Sequence, residues 1–510
     1  FLLSQKGLIL NIMHYQIIMF LQLSFFFSCI YLSFSCKYLS VDGFQTPPTI
    51  TFSKGQTLQK MITKQDKAPA WNKCRSAQFG VAPGAVSSLK FDDWVKQTDI
   101  KRNGLALRDF GKLRGVQANE DVEAGTVVLE VPADLCLSDG EELFAKTPIG
   151  QLVPREEWKD LFWLSKMAAV LAYERKKGAD SKFCSWIQNL PVEHPPVPFD
   201  WNEEETSELQ DDLLEAEIDG AFFWFGSRYD EIFFMAKDHG IEGKDLLTRE
   251  QFLSAAFMIQ SRTFLLEVNG QERRCMVPFM DMFNHKPGCQ SHFSYNALTD
   301  KVELRLDYAV KKGEQIFINY GENSNGHFLK YYGFIPDENP YESVQFRGIC
   351  NPEDLQHMNE EDFPLEKMSI LEETVALNEV FNIYGSSIQQ EYLSALRLAL
   401  ATREDYSTCL SQNWRNALHS NSAISSSNEK QVAEILLKRC KEHQLKFPTT
   451  IEDDEICIQN VASENIKLAA KYRLQKKQIL ENIISRLKSF LEQMELNTTN
   501  EILSLEQFLR

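Results

Sequence analysis

The block Val277-Pro278-Phe279-Met280-Asp281-Met282-Phe283-Asn284-His285 gathers a carboxylate, an amide and an imidazole into one short stretch. An Asn-His pair alone is weak evidence, because most such side chains only satisfy local hydrogen bonds. Its weight comes from company. Further on stand Gly313-Glu314-Gln315-Ile316-Phe317-Ile318-Asn319-Tyr320-Gly321 and Tyr331-Tyr332-Gly333-Phe334. Upstream lie Leu113-Arg114-Gly115-Val116 and Ser261-Arg262-Thr263-Phe264. Neutral amides and main-chain groups are what a polar cofactor needs for its grip, and Gly115 suits a close backbone approach. Each block also has a plainer meaning taken singly. Tyr320 ends an alternating strand and reads as a packed aromatic, Asp281 as a cap or salt-bridge partner, and Tyr331 to Phe334 as core rings beside a turn.

The elements that must position these residues can be read from periodicity. Phe91 to Val95 reads as a short helix, and Leu113 to Ala118 and Thr126 to Val131 as strands. From about Gln151 to Phe257 the pattern is helical, interrupted by the proline cluster Pro191 to Pro198. Phe293 to Leu298 and Val302 to Leu306 read as a hairpin about Thr299-Asp300-Lys301, followed by a strand over Gln315 to Tyr320. Past Gly385 there is no glycine, and Ile479, Leu480, Ile483, Ile484, Leu487, Phe490 and Leu491 recur on one helix face. No internal repeat is present.

Composition bounds the rest. With 510 residues, 54 basic and 72 acidic side chains and a net charge of −18, the chain is a multidomain globular protein and a poor candidate for generic nucleic-acid binding. Residues 1–90 carry nine Lys/Arg against only Asp42 and Asp66, so the acidity belongs to the body. The eleven cysteines include no C-x-x-C pair, which implies reduced thiols and no structural metal. No charge occurs between Lys6 and Lys37, so residues 1–43 read as a hydrophobic, signal-like leader. Residues 44–88, rich in Lys, Thr and Gln, read as a transit-like linker. Together they resemble a two-part plastid leader and predict a plastid location. The alternatives are a membrane anchor or a cytoplasmic protein.

In this order and spacing these blocks resemble the SET-domain protein methyltransferases, in the branch typified by the plant Rubisco large-subunit lysine methyltransferase. The resemblance implies an α+β fold: a SET β-fold over 89–347, split by a helical insertion at about 151–257, then an all-α substrate-binding domain over 348–510. It implies a monomer that takes S-adenosyl-L-methionine (AdoMet) as cofactor and methylates a lysine of a protein, with no nucleic acid and no stable membrane association once the leader is removed. It assigns Tyr320 to catalysis. Arg114, Gly115, Asn284, His285, Tyr320 and Tyr332 would bind cofactor, and Phe264, Asp281 and Tyr295 would line the substrate side. The alternatives are histidine as acceptor, as in a relative of the same branch that acts on actin, or a non-catalytic protein-binding module. The chain departs from the pattern in three places. Lys112-Leu113-Arg114-Gly115 replaces a Gly-x-Gly block, Gln260 stands where the plant enzyme has arginine, and Lys286-Pro287-Gly288 follows the Asn-His pair.

Overall fold

The computed structural model describes residues 85–111, 113–191, 195–355, 365–377, 380–405, 423–497 and 502–509. The expected leader over 1–43, and the segment after it as far as residue 84, lie outside these residues. Helix α1, Ala85–Gln97, comes first and buries Phe91 and Val95. Strands β1 (Lys101–Arg102), β2 (Leu105–Phe110), β3 (Leu113–Ala118), β4 (Thr126–Pro132) and β5 (Leu137–Ser138) follow. After the insertion come β6 (Thr263–Val268), β7 (Gln271–Met276), β8 (Asn284–His285), β9 (Ser291–Asn296), β10 (Lys301–Leu306) and β11 (Gln315–Ile318).

These strands build three small sheets, ordered β1-β4-β10-β9, β2-β3-β11-β8 and β5-β7-β6. The Thr-Val-Val-Leu-Glu-Val run of β4 is rich in β-branched residues, and Val131 and Leu129 meet Val302 and Leu304 of antiparallel β10. Val116, Val128, Leu129, Val131, Leu304, Ile316 and Ile318 are fully buried and form the centre of the first core. The pairing of β11 with β8 is parallel, Phe317 opposite Asn284 and Ile318 opposite His285. Two stretches far apart in sequence are thereby brought side by side.

The helical insertion lies between β5 and β6 and is wider than periodicity suggests. It opens at a short helix beginning with Glu141 and closes with α4, Arg249–Arg262. Thr248 and Gln251 form a capping box at the start of α4, and no glycine or proline stops it before Arg262. Helix α2, Trp163–Lys177, is buried without a break from Leu164 to Tyr173, so it runs through the middle of the insertion. Helix α3, Asp212–Asp238, meets α4 through a ring cluster in which Phe225 and Phe257 lie 4.7 Å apart.

Helix α5, Asn325–Tyr332, leads into a second core. This C-terminal region is helical, with α6 (Leu365–Leu377), α7 (Gln390–Leu400), α8 (Ser426–Gln444), α9 (Ile451–Asn460) and α10 (Glu464–Leu496). It is not wholly helical. Strand β12, Ser343–Arg347, pairs with β13, Val380–Tyr384, because Val-Phe-Asn-Ile-Tyr alternates and buries Phe381 and Ile383. The apolar face read from Leu480 to Phe490 packs in the second core. The start of the same helix, at Ala469 and Tyr472, belongs to the first core. Ion pairs tie the two regions across this helix. Asp454 accepts from Arg473 at 2.7 Å and Lys477 at 2.6 Å, Arg473 reaches Glu208, and the Tyr472 hydroxyl donates to Asp211 at 2.6 Å.

Candidate active site

The site grows from the turn between β7 and β8. Phe279 adopts φ 71° and ψ −39°, a left-handed backbone that costs a bulky residue roughly 1–2 kcal/mol. A short 3-10 turn over Met280–Met282 follows, and Phe283 is extended again. The result is that Asp281 points inward while Asn284 enters β8. The Asn284 amide donates to the Arg114 carbonyl at 3.0 Å. At Gly115 a Cβ would stand 2.9 Å from Asn284 Nδ2 and 2.3 Å from Gln315 Nε2, so glycine leaves both amides in place. The Arg114 guanidinium donates to the Asn189 carbonyl in the insertion and to Met282 Sδ at 3.0 Å in the turn. Arg114 therefore meets the turn through both its backbone and its side chain.

Tyr320 stands just past β11. Its N–H donates to His285 Nδ1 at 3.0 Å and its hydroxyl donates to the Phe283 carbonyl at 2.6 Å. Burial raises the Tyr320 hydroxyl well above its ordinary range, so it stays protonated. Burial also lowers His285 to about 4, so the imidazole is neutral at physiological pH. The Tyr332 ring, at the end of α5, stacks on Tyr320 with centroids 5.1 Å apart. Gly333, at φ 71°, ends that helix close against Pro196, which places Tyr332.

A cavity of about 290 Å³ opens beside these rings, lined by Arg262, Phe264, Asp281, Phe293, Tyr320 and Tyr332 among others. Phe264 and Phe293 form one wall, 4.9 Å apart. Asp281 is fully enclosed, and burial raises its carboxyl to about 6 against the opposing pull of Arg262. The Arg262 guanidinium donates to the Asp281 carbonyl and stands 3.8 Å from its carboxylate, while Trp186 Nε1 donates to that carboxylate at 3.3 Å. Arg262 Nε is buried with no partner. A larger surface basin of about 550 Å³, around Asp139, Arg155, Lys166 and Arg273, contains none of these residues.

Of the residues singled out from sequence, Phe264, Asp281, Tyr320 and Tyr332 line the cavity. His285 accepts from the Tyr320 N–H, and Asn284, Arg114 and Gly115 meet one another on β8 and β3, outside the lining. Tyr295 joins neither group. It lies two residues beyond Phe293 on β9, at the hairpin end, and its hydroxyl donates to Asp300 at 2.9 Å. The strand alternates, so Phe293 shares its face but sits closer to the cavity. Arg262 lies in the Ser261–Phe264 block without having been given a role, and Trp186 lies in the helical insertion. An arginine, Arg262, stands two residues after Gln260 at the end of α4. Its signal was the helix-to-strand junction in Ser261-Arg262-Thr263-Phe264.

A family model described as SET domain matches residues 113–321, and one described as Rubisco LSMT substrate-binding matches residues 359–480. The chain is 25% identical over 409 residues to an actin-histidine N-methyltransferase of Callithrix jacchus, covering 77% of this chain and 66% of that one. It therefore spans about two thirds of the length of that relative. It is 27% identical over 392 residues to a chloroplastic [fructose-bisphosphate aldolase]-lysine N-methyltransferase of Arabidopsis thaliana, covering 72% and 76%. Among solved structures, the SET domain of LSMT bound to lysine and AdoHcy aligns with a TM-score of 0.62 at 21% identity, over 81% of this chain and 94% of that one. Rubisco LSMT bound to AdoMet aligns with a TM-score of 0.61 at 20% identity, over 82% and 94%.

Proposed function

We propose that this chain, a SET domain joined to a Rubisco LSMT substrate-binding domain, is an AdoMet-dependent protein-lysine N-methyltransferase. The observation that carries the reading is the aromatic cavity lined by Phe264, Phe293, Tyr320 and Tyr332, with Arg262 and Asp281 in the same lining. The residues fit the cofactor. The Arg262 guanidinium suits a carboxylate, the Asn284 amide and neighbouring main chain suit neutral polar groups, and Tyr332 offers a ring face. AdoMet, when bound, supplies an electrophilic methyl group.

The chain's own residues then have to orient an acceptor nitrogen and keep it neutral. Because the Tyr320 hydroxyl spends its proton on the Phe283 carbonyl, its lone pairs are left to accept an N–H from the acceptor. That aims the nitrogen lone pair, a gain of orientation rather than of proton transfer. A lysine ammonium has an ordinary pKa near ~10.4. Enclosure by Phe264 and Phe293 and the positive charge of Arg262 and Arg274 both favour its neutral form. The two phenylalanine faces suit an alkyl stem.

Similarity to actin-histidine N-methyltransferases favours a second reading, histidine as acceptor. An imidazole needs no such deprotonation near neutrality, so turnover would be nearly flat above pH 7 for histidine and would rise for lysine. Recognition of the acceptor protein is assigned in this proposal to the C-terminal helices, since a narrow channel reads few side chains. Calorimetric titration of AdoMet into the wild type and Arg262→Ala tests the reading. Binding that weakens in the variant supports it, and no heat of binding in the wild type rejects it.

A further inference from the structure

Helix α1 lies outside the span matched by the SET family model, yet its rings run to the centre of the site. Trp94 stacks on Phe91 at 5.7 Å, and Phe91 stacks on Phe279 at 6.3 Å with the planes 12° apart. Phe279 meets Phe283 edge-on at 6.2 Å. Phe283 is the residue whose carbonyl accepts the Tyr320 hydroxyl. The Arg102 guanidinium covers Phe279 at 5.4 Å and is itself paired with Asp92 of α1 at 2.6 Å. Phe279 is thus gripped by α1 and by a side chain that α1 holds.

That grip falls on the strained position of the turn. An aromatic residue at φ 71° persists only where its surroundings over-determine it. Three turn hydrogen bonds surround it, the amides of Asp281, Met282 and Phe283 donating to Val277, Phe279 and Met280 carbonyls at 3.1, 3.1 and 3.4 Å. None of them holds the Phe279 ring. Relaxation of the turn would carry the Phe283 carbonyl and the Asn284 amide away from Tyr320 and Arg114.

We propose that α1 is a brace for the active-site turn, with Phe91 a positioning residue that holds Phe279 in its left-handed backbone and so sets the Phe283 carbonyl and Asn284. The role in turnover rests on the proposed function, but the brace itself can be read without it. Backbone amide exchange, followed by mass spectrometry in the full chain, is the first measurement. Phe91→Ala should speed exchange over Asp281–Asn284 about tenfold. The matched control is Phe144→Ala, which removes an equally buried ring packed on Trp158 and should leave that segment unchanged. Phe91→Leu keeps most of the volume, so it reports even where the alanine variant does not fold. Its effect should vanish in a Phe279→Gly background, since glycine takes φ 71° without strain. Kinetics give the second measurement. Phe91→Leu should lower kcat severalfold with a smaller change in acceptor KM, while Phe144→Ala should not. Equal exchange at the turn in the Phe91 and Phe144 variants would overturn the brace. Absence of AdoMet binding in the wild type would reject the methyltransferase reading and leave the exchange result to judge the brace.

Discussion

Asp281→Asn separates a carboxylate kept for function from one kept for stability. In the folded chain burial raises the Asp281 carboxyl from 3.8 to about 6. Two units at 1.36 kcal/mol each make about 3 kcal/mol of preference for the neutral form. The folded pKa lies above the unfolded one, so the stabilising contribution is complete below about 3.8 and lost as pH rises through about 6. At pH 7 the wild type therefore carries a charged group that folding disfavours, Arg262 and Trp186 notwithstanding. Asparagine is neutral at every pH and nearly the same shape. Asp281→Asn should thus be more stable than wild type at pH 7, by up to about 3 kcal/mol. The advantage should vanish near pH 4. The assay is urea unfolding of both proteins at several pH values between 4 and 8, with the midpoint difference plotted against pH. A variant destabilised by a similar amount at every pH would refute the reasoning. The Arg262 pairing would then outweigh burial, and the carboxylate would be a structural ion-pair partner.

Other consequences follow from single contacts. Tyr320→Phe leaves the buried Phe283 carbonyl without its donor and the acceptor without its acceptor oxygen. Methyl transfer should fall about 10- to 100-fold with AdoMet affinity nearly unchanged by calorimetry. Gly115→Ala puts a methyl 2.9 Å from the Asn284 amide and 2.3 Å from that of Gln315. Both are side-chain ends that can shift, so melting temperature should move little while AdoMet affinity drops severalfold. A chain ending near Gly348 would lose Ala469 and Tyr472 from the first core and Arg473 from Glu208. It should come out insoluble or molten by near-UV circular dichroism. Substitutions on exposed faces of the C-terminal helices, read by acceptor KM, are then the usable test of docking there.

Much of the site was legible because its parts are local. The Asn-His pair, the Gly-Glu-Gln to Tyr-Gly run and Gly115 lie in short blocks whose order alone points to the family. The α10 face was legible because seven apolar residues keep one period. What could not be read depends on contacts across the fold. The placement of Arg262 rests on α4 running straight into β6, which delivers it to Asp281, 3.8 Å away. Tyr295 and Phe293 share a strand face, and only the position of the cavity decides between them. The bridging role of α10 is invisible to periodicity, because one apolar stripe serves two cores at different heights. Strand β13 is short, and only its pairing with β12 distinguishes it from a loop.

The central claim is that this cavity delivers a methyl group to a lysine. The most direct test is to incubate the purified chain with methyl-labelled AdoMet and a whole-cell extract, then locate the label by tandem mass spectrometry. The account predicts a labelled lysine ε-nitrogen in one or a few proteins, with the signal strongly reduced for Tyr320→Phe. Label on a histidine ring nitrogen would contradict the acceptor assignment, and no protein label at all would contradict the methyltransferase reading.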